Sequence, residues 1–455
     1  MSSGRRAAKN STANFGQRAL SRFSGSGNSR RASVSKESVL ENLKSVFAPG
    51  EKLNLARKHR PDYFLLVLTA ILALVGLVTL FSIAPAVSGV GDTSAFMWRQ
   101  GMFLIVSIVA FFVMSRFPLD LWRRFGTAIF VVALILCFVL PIMGWLNIPP
   151  AFCTLGACRW FSLGPVGTFQ PAEFLKFGIV LLVSGFLAAR SMTDEINSWQ
   201  KTLVPIGIVI LAALFVVIVM QKDLGTGIAM IAIFLIQLVV AGVRWRNLLG
   251  IVVVIAILGV LSIAIAPHRL ARVATFFGQG SDTADYHINQ AMIALGSGGA
   301  FGRGLGQSVQ AFGWLPEAIH DSIFAIIGEM FGFVGVMALL LAFAALLKRI
   351  IDKTDYLENV YLRLIVAGIF GWLSAHVLLN IGAMTGLIPL TGITLPLVSF
   401  GGTSMLFTMS ALGVVFAISR YTVHKKIDLE EGVAHADFMR GRRIGRSRVA
   451  GRGGR

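Results

Sequence analysis

Ten apolar stretches dominate this chain, near residues 63–84, 100–115, 125–146, 171–189, 203–220, 224–242, 247–266, 322–347, 361–383 and 398–418. A helix needs about 20 apolar residues to cross a hydrocarbon core roughly 30 Å thick, because it rises only about 1.5 Å per residue. Repeated ten times, the pattern leaves too little polar sequence to cover a water-soluble globule. Hydrophobic residues make up 55% of the 455 and charged ones 14%, which excludes an ordinary soluble enzyme. The expected fold is an all-α integral membrane protein with about ten transmembrane helices.

Lysine and arginine set the orientation, since cytoplasmic segments carry an excess of them. With the N-terminus inside, 34 of the 41 Lys and Arg residues fall on the cytoplasmic side and 6 outside, while Lys176 lies within a span. Both termini therefore read as cytoplasmic. The net charge of +19 belongs mostly to two tails, 1–62 and 422–455, which frame a membrane domain at 63–421. Rich in Ser, Gly and Arg, the tails read as disordered chain near an anionic leaflet rather than as a nucleic-acid surface. The first span is expected to act as the insertion signal, with no cleavable signal peptide ahead of it.

Most connections are short, but the seventh and eighth spans are separated by a long outer segment, 267–321, and long loops often carry function. Within it, "GSGGAFGRGLGQ" (296–307) is dense in glycine yet matches neither G-x-x-x-x-G-K-[ST] nor G-x-G-x-x-G, so no nucleotide is expected. Two readings remain: a tight re-entrant turn, or, with Arg269, Arg272 and Arg303 nearby in sequence, a pocket for a lipid-linked phosphate.

Asp321 follows at the mouth of the eighth span, where an acid either complements the helix dipole or acts chemically. Glu329, two turns deeper, either pairs with a base or faces a cavity. A second cluster, "RWFSLGPVGTFQPAEFLKF", holds Arg159, Glu173 and Lys176, and "MQKDLGTG" adds Lys222 and Asp223. Glu173 and Lys176, three apart, share a helix face: they form a mutual ion pair, or Lys176 holds an anionic substrate group. The last outer turn, "TGLIPLTGITLPLVSFGGTS", carries no charge and reads as broken helix lining a cavity. His376 and Asn380, one turn apart, read as polar glue between helices. Cys153 and Cys158, in "AFCTLGACRW", are either two thiols or a local disulfide, and Cys137 is a small core residue. No His/Cys spacing suits a structural zinc.

An external acid, basic residues on several outer loops and an apolar groove suit a substrate with a lipid tail, an anionic linker and a polar head. Either a transferase acting on the head group or a transporter of the lipid fits. "FQPAEFLKF", "QKDLGTG", "ALGSGGAFGRGLGQSVQAFGWLPEAIHDSIFAIIGEMFGFVG" and "TGLIPLTGITLPLVSFGGTSML" resemble the signatures of the SEDS family of bacterial cell-wall proteins, over about residues 63 to 421 and in the same order. The wording is more like the cell-division branch than the elongation branch.

That resemblance implies a peptidoglycan glycosyltransferase at the plasma membrane of the division septum. It would polymerise lipid II, an undecaprenyl-pyrophosphate-linked disaccharide-peptide, beside a class B penicillin-binding transpeptidase and other divisome proteins. A lipid II flippase and a non-catalytic septal scaffold are the alternatives. The family's essential acid maps onto Asp321 and its polar cavity onto Arg159, Glu173, Lys176 and Asp223. Its last turn maps onto Pro389, Thr391, Gly392, Pro396, Ser399, Gly401 and Gly402. Mg²⁺ or Mn²⁺ could assist a departing pyrophosphate. The chain departs from the family in "PEAIHDSIF", where Ile319, His320 and Ser322 replace His, Thr and Phe, and in "YHINQAM".

Overall fold

The computed structural model describes residues 36–47, 59–154, 156–164, 167–276 and 282–422, so most of both basic tails lies outside the described residues. Residues up to Glu41 form one unit and those from Asn42 onward a second, which holds the membrane domain. Inside the tail read from composition as disordered, Lys36–Val46 is helix α1.

The remaining helices are α2 (Tyr63–Arg116), α3 (Leu119–Trp145), α4 (Pro171–Ser191), α5 (Trp199–Met220), α6 (Leu224–Val240), α7 (Trp245–Ala264), α8 (Pro267–Phe276), α9 (Asp282–Ser297), α10 (Ile323–Asp355), α11 (Val360–Met384) and α12 (Gly402–Ile418). Among the described residues nine helical stretches are long and apolar enough to cross a membrane, two of them within α2, and α6 is a shorter apolar helix of 17 residues. A straight helix of the 54 residues of α2 would be about 80 Å long. Its two ends nevertheless reach one ring: Tyr63 and Phe111 lie 6.2 and 5.6 Å from Phe416 of α12. The element therefore doubles back on itself.

Helix starts follow local chemistry. Asp62, Asp223 and Asn359 accept backbone N–H bonds at the heads of α2, α6 and α11, and Pro171 opens α4 with a fixed φ and no N–H to orphan. Helices α4, α11 and α12 form the core, whereas α7 buries none of its apolar window. Small residues set the close crossings: a Cβ on Gly178 of α4 would sit 2.8 Å from the Phe130 Cα of α3.

Two departures from an all-helical fold matter. Between α3 and α4 lies a small antiparallel sheet, β1 (Ala151–Thr154), β2 (Ala157–Ser162) and β3 (Thr168–Phe169), in the order β1-β2-β3. Cys153 and Cys158 face each other across β1 and β2 and are joined as a disulfide, while Cys137 is free and buried. The second is the irregular segment 385–401 between α11 and α12, most of which is buried or half-buried against the bundle.

Asp62 ties one end of the bundle together. Its carboxylate pairs with Arg349 and Lys353 of α10, each at 2.6 Å, and its N–H donates to Ser419 Oγ. Burial pushes the Asp62 carboxyl up, but the two cations outweigh it and hold it below the ordinary value of 3.8.

Candidate active site

At the opposite end, Asp321 sits just before α10, at the close of a turn-rich stretch that follows α9. Its side chain is largely buried, and its Oδ2 lies 4.0 Å from the point where a Cβ on Gly392 would stand, so the carboxylate flanks bare backbone of the irregular segment. Gly392 adopts φ +71°, a conformation that costs glycine little. Neighbouring bonds fix the acid's main chain. Asn380 Nδ2 donates at 2.7 Å to both Asp321 O and Ile393 O, Phe400 N donates to Ile319 O, and His320 Nδ1 donates to Phe400 O. Ser322 Oγ lies 3.5 Å from Asp321 Oδ1 and 2.7 Å from His287 Nε2. The two stretches that depart from the family wording thus meet beside the acid.

A second group lies one helix away. Lys176 is fully buried; its ammonium donates to Glu173 Oε1 and contacts His376 Nε2, each at 2.7 Å, and stands 4.9 Å above the Trp372 ring. Burying one such charge costs several kcal/mol, so close partners are a condition of its being there. His376 Nδ1 donates to Thr394 O at 3.2 Å, which links the pair to the irregular segment beside Asp321. Among the described residues, Glu173 Oε2 has no hydrogen-bond partner.

The 221–223 turn completes this end. Asp223 caps α6 through Thr226 N and Thr226 Oγ1, and it accepts from Gln170 Nε2 at 3.3 Å, just ahead of Glu173. Arg159, on β2, donates to the carbonyls of Gln221 and Lys222, and Lys222 Nζ donates back to Gly156 O. The disulfide-closed hairpin is laced to the turn that carries Asp223.

The glycine stretch answers a backbone need. Helix α10 breaks at Gly332 (φ 66°, ψ −165°), which strips partners from N–H and C=O groups on either side. Phe333 N and Val334 N donate to the carbonyls of Gly299 and Ala300, while Arg303 N and Gly304 N donate to those of Glu329 and Met330. These bonds require contact distance: a Cβ on Gly302 would lie 2.1 Å from Met330 O, and one on Gly298 2.0 Å from Gly328 O. The N–H groups of Arg303 and Gly304 point at helix carbonyls, so of the two readings the re-entrant turn is the one this backbone geometry matches.

Glu329, fully buried, receives Ser308 Oγ at 2.6 Å, Val309 N at 3.0 Å and Gln310 N at 3.2 Å, with Arg303 Nη1 3.6 Å away. Arg269 folds back onto the carbonyls of Ser262 (3.0 Å) and Ile218. The side chain of Arg272 lies outside the described residues.

The structure therefore joins Glu173 to Lys176 and places Asp223 beside Gln170. His376 and Asn380 are polar glue between helices, as expected, and their partners extend to Lys176 and to the main chain at 321, 393 and 394. The available signal was two polar residues one turn apart on an otherwise apolar helix.

A family described as cell cycle proteins, comprising FtsW, RodA and SpoVE, matches residues 62–424. Stage V sporulation protein E of Bacillus subtilis is 34% identical over 374 residues, spanning 80% of this chain and 99% of that protein. A probable peptidoglycan glycosyltransferase FtsW of Escherichia coli O6:H1 is 32% identical over 79% of this chain and 86% of its own length. The crystal structure of the rod shape determining protein RodA of Thermus thermophilus superposes with a TM-score of 0.57 at 25% identity, covering 80% and 98% of the two chains. A chain of a peptidoglycan synthase complex shares the fold, with a TM-score of 0.65 at 23% identity over 79% and 98%. The helical membrane fold has counterparts in these structures, and the chain belongs to the FtsW/RodA/SpoVE family of cell cycle proteins.

Proposed function

We propose that this protein is a peptidoglycan glycosyltransferase that polymerises lipid II at the outer face of the plasma membrane during cell division, with Asp321 as general base. The observation that carries the reading is the placement of Asp321: a buried carboxylate at the head of a broken helix, against the bare backbone at Gly392, in a chain whose relatives are named as such transferases. Its main chain is pinned by Asn380, so the acid is preorganised.

The 4-hydroxyl of the acceptor sugar attacks the anomeric carbon of the donor. A new C–O bond forms, the bond to the undecaprenyl pyrophosphate breaks with inversion, and the hydroxyl proton passes to the Asp321 carboxylate. Such proton removal contributes typically about 10²–10⁴-fold. The leaving pyrophosphate needs positive charge, which Arg159, Arg269, Arg272, Arg303 and Lys176 are proposed to supply. Among the described residues no three His, Cys, Asp or Glu side chains cluster, and a Mg²⁺ or Mn²⁺ ion would instead be held by the substrate's own phosphates with one or two carboxylates, adding positive charge opposite the leaving group.

A crosslinking partner of the class B penicillin-binding type is part of the same proposal, and a solved peptidoglycan synthase complex, one chain of which shares this fold, supports it. Transport would call on charges deep in the bundle, and Glu329, two turns below Asp321, has both carboxylate oxygens engaged by protein groups. The test is a gel-resolved polymerisation assay on labelled lipid II with Mg²⁺ or Mn²⁺, with and without the transpeptidase. Asp321→Asn should lose glycan ladders by about 10²-fold or more while remaining folded. Polymerisation that persists in this variant would remove Asp321 from the reaction.

A further inference from the structure

Helix α11 contacts both charged groups of this end with one face. His376 and Asn380 stand one turn apart: His376 meets Lys176 and Thr394 O, and Asn380 meets Asp321 O and Ile393 O. Residues 393 and 394 are consecutive, so a single stretch of irregular backbone is held from one helix at two adjacent carbonyls. Gly392, next to them, is the backbone that flanks the Asp321 carboxylate.

The chemistry of His376 is fixed by its neighbours. The carbonyl of Thr394 can only accept, so Nδ1 carries the proton. A charged ammonium can only donate, so Nε2 accepts from Lys176. The imidazole is therefore a neutral two-ended connector, with its acceptor toward the Glu173–Lys176 pair and its donor toward the wall of the site. His376 is 4% exposed and Asn380 1%, so water offers neither group an easy substitute.

We infer that His376 is a positioning residue for the glycosyl-transfer site, transmitting the placement of the buried Lys176 ammonium to residues 392–394 and hence to the wall facing Asp321. The inference rests on the glycosyltransferase reading for its kinetic consequence, but not for its structural one. A glutamine can replace both ends of the connector, since its Oε1 accepts and its Nε2 donates. A leucine fills similar space and can do neither.

The test compares His376→Leu and His376→Gln with wild type in two measurements. Hydrogen exchange read by mass spectrometry over residues 389–400 should speed up by about tenfold or more in His376→Leu and stay near wild type in His376→Gln. In the lipid II assay, kcat of His376→Leu should fall by about tenfold with KM within about threefold, and His376→Gln should restore it. Unchanged exchange and unchanged kcat in a folded His376→Leu would overturn the inference, as would a His376→Gln variant as impaired as His376→Leu. If wild type fails to polymerise under any condition, the glycosyltransferase reading falls. The exchange comparison then still decides whether His376 holds the segment.

Discussion

Glu329 and Glu173 are both carboxylates buried in an apolar bundle, yet their surroundings differ in kind. Glu329 has both oxygens engaged by a hydroxyl and two backbone N–H groups of residues 308–310, just after the glycine-rich stretch, with Arg303 of that stretch 3.6 Å away. Glu173 has one oxygen on Lys176 and the other without a hydrogen bond among the described residues, and its lysine is shared with a helix that reaches the Asp321 wall. The first carboxylate closes a fold. The second leaves capacity beside a site. Burial of a charge therefore does not by itself mark chemistry; what decides is whether the partners complete it.

The two carboxylates differ most in what depends on Lys176. Lys176→Met strands Glu173 in the bundle, and breaking a buried pair costs about 3–5 kcal/mol. Unfolding in detergent should register that loss, and the surviving folded protein should be a poor polymerase. Adding Glu173→Gln should recover most of the stability and none of the activity. Recovery of both would place the pair on the structural side with Glu329.

Glu329→Gln is the counterpart. It keeps one carbonyl oxygen and loses an acceptor for a buried donor, at about 1–3 kcal/mol, so its melting temperature should drop while kcat of the folded fraction holds. A kcat deficit with full stability would break the distinction.

The smallest effect is at the far end. Because Arg349 and Lys353 lower the Asp62 carboxyl, its contribution is present above 3.8, the ordinary value, and fades as pH falls through the lower native one. Asp62→Asn should cost about 1 kcal/mol or less at neutral pH, and the difference from wild type should vanish in melts taken below that window.

Much of this was legible in the sequence because it is local. Apolar length located the spans, and Asp62, Asp223, Asn359 and Pro171 mark helix starts by caps and φ that any short window contains. Helical spacing puts Glu173 and Lys176 on one face, and the structure adds that they form an ion pair. The contact of His376 with Lys176 joins residues 200 positions apart, and no period in either helix encodes it. The glycine stretch lies between these cases. Gly298 and Gly302, and Gly328 and Gly332, both repeat at four-residue spacing, a small-residue signal for close packing. Only the break at Gly332 explains which groups the loop had to satisfy.

The most direct measurement is the lipid II polymerisation assay on wild type and Asp321→Asn, with folding of both verified by thermal melts. Wild type is expected to give glycan ladders that fall by about 10²-fold or more in a variant of equal stability. Ladders of equal intensity from both proteins would contradict it.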